Sequence, residues 1–181
     1  RVLRGEGPAD LAKISIELAA HMVVLAGKAP NLPRARVMCQ RTIDDGSALS
    51  QFRELLRRQG GDATVVDDPA KLVVAPVKTV WRAPRAGHLK SFANDQIGMM
   101  LTELGGGRHT KDDVPDLAVG FTFAAKVAAK LKKGDPVVTV HHHAAQAKLV
   151  AELEARFFRD VVRFSPRPVR PPRLITATVK S

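Results

Sequence analysis

Three consecutive histidines, His141-His142-His143, form the densest run of ligand-type side chains in this 181-residue sequence. Imidazole is a common metal ligand, and a catalytic zinc needs three protein ligands plus an open position. Neighbouring residues on a strand point to opposite faces, so only His141 and His143 can converge. No cysteine lies nearby to complete a set. The sequence therefore predicts neither a metal site nor a cofactor. The second candidate is Gly105-Gly106-Gly107-Arg108. A phosphate cradle places its glycines after a strand and before a helix, so that backbone N–H groups and the helix N-terminus face the anion. Here the glycines follow a helical pattern and read first as a C-cap and hinge. Their functional reading is a lid loop of Gly107, Arg108 and His109, with Arg108 and His109 at its tip. Asp112, Asp113 and Asp116 could supply paired carboxylates for acid–base work, but in a polar loop they read as solvated. Cys39 is the only cysteine, and no histidine stands near it in sequence to activate it, so it reads as a buried thiol. The hydrolase pattern G-x-S-x-G is absent. No catalytic residue is assigned in this chain.

Helical spacing opens the sequence. Pro8 suits a first turn, Asp10 favours the positive end of the helix dipole, and Leu11, Ile14, Leu18, Met22 and Leu25 recur on one face. Ile16, Val23 and Val24 make this helix apolar nearly all round, which predicts burial in a larger body. A second helix is expected with Asn31 as cap and Ala35, Met38, Cys39 and Ile43 inward. A third is expected with Ser47 as cap and Leu49, Phe52, Leu55 and Leu56 inward, ended by Gln59-Gly60-Gly61. The character changes near 62–72. Leu72–Trp81 reads as a strand with an irregularity at Pro76, and His88–Phe92 as a second. Asn94 caps a helix with Ile97, Met100, Leu101 and Leu104 inward, and 108–114 reads as a mobile loop. Leu117–Phe123 and Val137–Val140 read as strands, the latter fed by a tight Lys133-Gly134-Asp135-Pro136 turn. Ala144–Phe158 is an amphipathic helix, 167–173 is extended, and Leu174–Val179 is a terminal strand. The fold class is mixed α/β (α+β): a helical segment over 1–65 and a β-rich α/β unit over 66–181.

Composition narrows the classes further. A hydrophobic share of 45% and a charged share of 26% are ordinary for a globular protein. No apolar run reaches a membrane span, and no charged n-region with an h-region and cleavage site suggests export. The lone cysteine fits a reducing cytoplasm. The net charge of +11 raises a nucleic-acid reading. The basic residues, though, fall in separate clusters at 53–58, 126–133 and 167–173, without stacking aromatics or zinc spacing, and read as a solvated surface. Arg1 is followed at once by the Arg4–Pro8 turn and the first helix, which reads as the middle of a larger protein.

An ordered series of short motifs carries more than any one of them. It runs Arg1-Val2-Leu3-Arg4-Gly5-Glu6-Gly7-Pro8-Ala9-Asp10-Leu11, then His21–Gly27, Asp45-Gly46-Ser47-Ala48-Leu49, Gln59-Gly60-Gly61-Asp62 and Val66-Asp67-Asp68-Pro69. Ile97-Gly98, Leu104–Arg108, Ala118-Val119-Gly120 and Lys133-Gly134-Asp135-Pro136 follow. In this order the series resembles the C-terminal half of the thymidine and pyrimidine-nucleoside phosphorylases. The resemblance implies a larger two-domain enzyme, with a small helical domain and a large α/β domain closing over a cleft. Inorganic phosphate would attack C1′ of a pyrimidine nucleoside, giving the free base and a pentose 1-phosphate. It also implies a homodimer formed largely through the helical domain, and no cofactor. The family's phosphate loop and base-recognition residues precede the motif at Arg1, so this chain alone is expected to be inactive, its N-terminal half missing. One departure stands out: the family's Val-Gly-Asp before the Gly-Asp-Pro turn is Val127-Ala128-Ala129 here, and Ala-Ala favours helix over turn. Two other readings stay open, a basic nucleic-acid-binding piece and a carrier-like scaffold presenting Lys133 at a hairpin tip.

Overall fold

The computed structural model describes residues 1–179, which divide into two compact units. One is Arg1–Leu72 together with the chain from Arg173 onward; the other is Val73–Pro172.

The first unit is helical: α1 (Ala9–Leu25), α2 (Leu32–Asp44) and α3 (Ser47–Arg58). α1 and α2 meet where Ala20 and Ala35 are both fully buried, since two small side chains let the helix backbones approach closely. The Arg36 guanidinium makes a two-pronged bond to the Glu17 carboxylate beside that contact. Asn31 caps α2, its side chain accepting from the Arg34 N–H at 3.1 Å. Two expected details differ. Ser47 does not cap α3: Gly46 holds the cap position in a left-handed conformation (φ 74°), and the Asp45 carboxylate accepts from the Ser47 N–H at 2.9 Å. Met38, Phe52 and Leu55, expected inward, are exposed. So are Leu11, Leu18, Met22 and Leu25 of α1, because its apolar residues encircle the helix and α2 covers one side only.

The second unit holds two three-stranded antiparallel sheets. β1 (Val77–Arg82), β5 (Pro136–His142) and β3 (Gly120–Phe123) make the first, with β5 central. β4 (Lys130–Leu131), β2 (Gly87–Phe92) and β6 (Val162–Ser165) make the second, with β2 central. α4 (Asn94–Glu103) and α5 (Ala147–Arg156) complete the unit. Register puts Trp81, Val138 and Phe123 in one cross-strand row and Thr79, Val140 and Phe121 in the next. Phe157 packs at the centre of the core, its ring 5.2 Å from those of Trp81 and Phe158 and 6.1 Å from that of Phe92. It opens a π-helical turn, Phe157–Val161, that continues α5 and lets Phe157, Val161 and Val162 all bury.

Strand limits also depart from expectation. β1 begins after Pro76, which has no N–H for a ladder, rather than at Leu72. β2 does not pair back on β1. A register break at Trp81/Arg82 redirects the chain, and Ala83 instead exchanges hydrogen bonds with Gly134 and Asp135. β3 is limited to Gly120–Phe123. Asn94 opens α4 but gives no side-chain cap. Leu174–Val179 forms no strand, for the unit it belongs to offers no sheet edge among the described residues.

The Ala-Ala departure does not make helix. Val127 and Ala128 keep the turn, with Ala128 at φ 77°, the only positive φ outside glycine among the described residues. The Ala128 N–H donates to the Leu89 carbonyl at 2.8 Å, and the Ala129 carbonyl accepts from the Leu89 N–H at 2.9 Å. Those two bonds hold alanine in a conformation that costs an L-residue about 1–2 kcal/mol. Relief of that strain exceeds the extra chain entropy of glycine, about 0.4–1 kcal/mol. Ala128→Gly is therefore expected to stabilise the chain by about 0.5–1 kcal/mol, seen as a higher urea midpoint at unchanged slope. An unchanged or lower midpoint would show that the strain does not exceed the entropy cost of glycine.

Candidate functional site

The loop after α4 carries Gly107, Arg108 and His109, the residues the sequence offers as a lid, and its shape follows from three glycines. Gly105 ends α4 at φ 96°, and the N–H groups of Gly105 and Gly106 return to the carbonyls of Thr102 and Leu101. The chain then folds back over the last turn of α4. A Cβ on Gly106 would stand 2.6 Å from Leu101 Cδ1, and one on Gly107 2.3 Å from Thr102 Oγ1. The glycines thus form the expected C-cap and close approach. No helix follows them, so the phosphate-cradle arrangement is absent.

Beyond Gly107 the chain is organised by carboxylates. Asp113 accepts from the backbone N–H groups of His109 (2.7 Å) and Thr110 (2.9 Å) and from the Thr110 hydroxyl (2.8 Å). Those bonds, chiefly the Thr110 ones, hold its carboxyl below the usual aspartate range. Arg108 and His109 are exposed, as are Val114, at 92%, and Leu117. The far end of the loop is tied down. The Asp116 N–H donates to the Gly105 carbonyl at 2.8 Å. The Asp116 carboxylate accepts from the Ala118 N–H at 2.9 Å and from His143 Nε2 at 2.7 Å. These two partners, the Ala118 amide first, also keep its carboxyl low.

His143 stands just past β5, and its backbone carbonyl accepts from the Gln146 N–H at 3.0 Å. Gln146 completes the lock: its Oε1 accepts from the His143 N–H at 2.8 Å, and its amide donates to the Leu104 carbonyl at 2.7 Å. The His143 imidazole is thereby held by Asp116 and its backbone by Gln146. The pair has the carboxylate–imidazole contact of a hydrolase, but no serine or cysteine is hydrogen-bonded to the imidazole among the described residues. It is a latch. A second clamp, Arg156 bonded to both oxygens of Glu103 (2.6 and 3.0 Å), fixes the last turn of α4 against α5 and holds the Glu103 carboxyl low.

The three histidines are not brought together. His142 lies on the core face, 1% exposed, with Nε2 on the Thr79 hydroxyl and Nδ1 donating to the His143 carbonyl. His141 faces the other side and meets the Thr122 hydroxyl at 3.0 Å. His143 goes to Asp116, so His141 and His143 do not converge. No group of three histidine, cysteine or acidic side chains among the described residues could hold a metal ion. The basic cluster at 53–58 is largely ion-paired: Arg53 with Asp67, Arg57 and Arg58 with Glu54, whose carboxyl they depress to about 2. No helix among the described residues is long and apolar enough to cross a membrane.

The latch was not anticipated from sequence. Its local half was legible: His143-Ala144-Ala145-Gln146 after a strand has capping-box spacing. Its long-range half was not, because 27 residues separate Asp116 from His143.

The second unit is thus a two-sheet β unit whose glycine-hinged loop is tied at both ends. Residues 88–157 match the family described as pyrimidine nucleoside phosphorylase C-terminal domain. Across its length the chain is 40% identical to the pyrimidine-nucleoside phosphorylase of Geobacillus stearothermophilus, over 173 residues that make up 96% of this chain and 39% of the relative. It is also 40% identical to that of Bacillus subtilis, over 88% of this chain and 36% of the relative. The Staphylococcus aureus RF122 protein is 39% identical over 77% and 32%. The chain is similar to the C-terminal portion of these pyrimidine-nucleoside phosphorylases and spans about two fifths of their length or less.

The hydrogen bonds to Asp113 and Asp116 favour their ionised forms, so the loop is held above the usual aspartate pKa and released as pH falls through the depressed values. Carbon-13 titration of the two carboxyls should give midpoints below about 3.9. Midpoints at or above that value would mean the loop is not held by these carboxylates.

Proposed function

We propose that this chain is the C-terminal part of a pyrimidine nucleoside phosphorylase, which converts thymidine or uridine and inorganic phosphate to the free base and a pentose 1-phosphate. The observation that carries the reading is 40% identity to two pyrimidine-nucleoside phosphorylases over 88–96% of the chain. In this reading residues 1–65 are the helical part of the large α/β domain and residues 66–181 the C-terminal domain. The portion of the relatives that this chain does not span supplies the phosphate loop, the base-recognition residues and most of a homodimer interface. The enzyme serves nucleoside salvage in the cytoplasm, a compartment that suits a single unpaired cysteine.

Within the complete enzyme, Gly107, Arg108 and His109 form a lid. Support comes from a tip that is exposed while both ends of its loop are tied, one at Gly105 and one at Asp116. Such a tip can move on a fixed base. Arg108 then brings a permanent cation, and His109 an imidazole, toward an anionic substrate.

Two results test this. The 181-residue chain alone should release no thymine or uracil from thymidine or uridine with phosphate, whereas the same chain joined to the N-terminal portion should. Turnover by the chain alone would sink the reading. In the joined protein, Arg108→Ala should lower kcat/KM about tenfold or more, about 1.4 kcal/mol of transition-state stabilisation, at an unchanged melting temperature. An unchanged kcat/KM would remove the lid from the mechanism.

A further inference from the structure

Between β6 and the terminal segment runs Pro166-Arg167-Pro168-Val169-Arg170-Pro171-Pro172-Arg173. Its backbone is almost fully determined by composition. Proline fixes φ near −65° at positions 168, 171 and 172, and a following proline keeps Arg170 and Pro171 out of the helical region. Only Val169 and Arg173 of Pro168–Arg173 are unconstrained. The chain bends at Pro166–Arg167, where the Ser165 hydroxyl donates to the Arg167 carbonyl (2.8 Å) and accepts from its N–H (3.1 Å), and it bends again at Leu174. From Pro168 to Arg173 it makes no turn or sharp bend, with no hydrogen bond from its backbone to other described residues. Constrained φ, an extended course and a solvated backbone are the properties of a polyproline II helix.

That helix has three residues per turn, so residues three apart share an edge. Arg170 and Arg173 lie on one edge, about 9 Å apart at about 3.1 Å rise per residue. Pro168 and Pro171 form the second edge, Val169 and Pro172 the third. All but the half-buried Val169 are exposed, and neither arginine makes an ion pair among the described residues. The result is a preformed rod with one cationic and two apolar edges, in the spacing Pro-x-x-Pro-x-Arg.

We propose that Pro168–Arg173 is a docking rod for a partner protein that presents a groove lined by aromatic rings and rimmed by carboxylates. The prolines fill the ring-lined slots at little cost in chain entropy, because the rod is already ordered. Arg170 and Arg173 set the direction of docking through the carboxylate rim. A nucleic-acid partner fits less well: two of the three edges are apolar, and the segment has no aromatic ring on which a base could stack.

The test titrates the full 181-residue chain into a nitrogen-15-labelled SH3-type domain with such a groove. Saturable shifts confined to the groove are expected. Pro168→Ala with Pro171→Ala, and separately Arg170→Glu with Arg173→Glu, should each weaken binding about tenfold or more while the thermal midpoint stays put. No saturable shift at roughly millimolar chain would overturn the proposal, as would equal binding by the double-proline variant. Displacement of the domain by single-stranded oligo-dT that binds wild type and the proline variant alike would assign the segment to nucleic acid and overturn it too.

Discussion

β5 is paired on both edges, and the second unit is built outward from that double pairing. β1 fixes one side through Thr79–Val140 and Trp81–Val138, β3 the other through Phe121–Val140 and Phe123–Val138. A slip of one residue would turn Val138 and Val140 out of the core and Thr139 and His141 into it, so the register is strongly specified. His142, the one buried polar residue among those described, keeps its place because Thr79 and the His143 carbonyl satisfy both of its nitrogens. The turn before β5 receives Ala83, and the residue after it, His143, receives Asp116. One strand thus positions an edge, a turn and a loop.

That arrangement separates rigidity from exposure. The loop of Gly105–Asp116 leaves a helix clamped by Glu103 and Arg156 and returns to a carboxylate locked on His143. Between these fixed ends Arg108 and His109 face solvent without packing. The helical unit shows a different economy. Its buried contact is narrow, centred on Ala20 and Ala35, and Leu25 remains 86% exposed.

Local signals were the legible ones. Asn31, the Gly60 stop, the Gly105–Gly107 cap and the Lys133–Pro136 turn each rest on one residue's conformational preference, and each appears where its residues stand. What local signals could not carry was pairing. β2 reads as a strand on its own but joins a different sheet from β1, because a bulge at Trp81/Arg82 redirects the chain. Leu174–Val179 has strand composition but no edge to join. Ala128 shows tertiary override in its simplest form: propensity favoured helix, and two bonds to Leu89 imposed a left-handed turn. The candidate site divides in the same way. The glycine hinge was readable, whereas the Asp116–His143 latch depends on β5 bringing distant residues together.

The claim that β5 sets the loop through His143 is tested most directly by amide hydrogen exchange in His143→Ala. The account predicts faster exchange at His109, Thr110 and Asp116, with the amides of Val138 and Val140 as protected as in the wild type. Unchanged exchange in the loop, or equal loss of protection along β5, would contradict it.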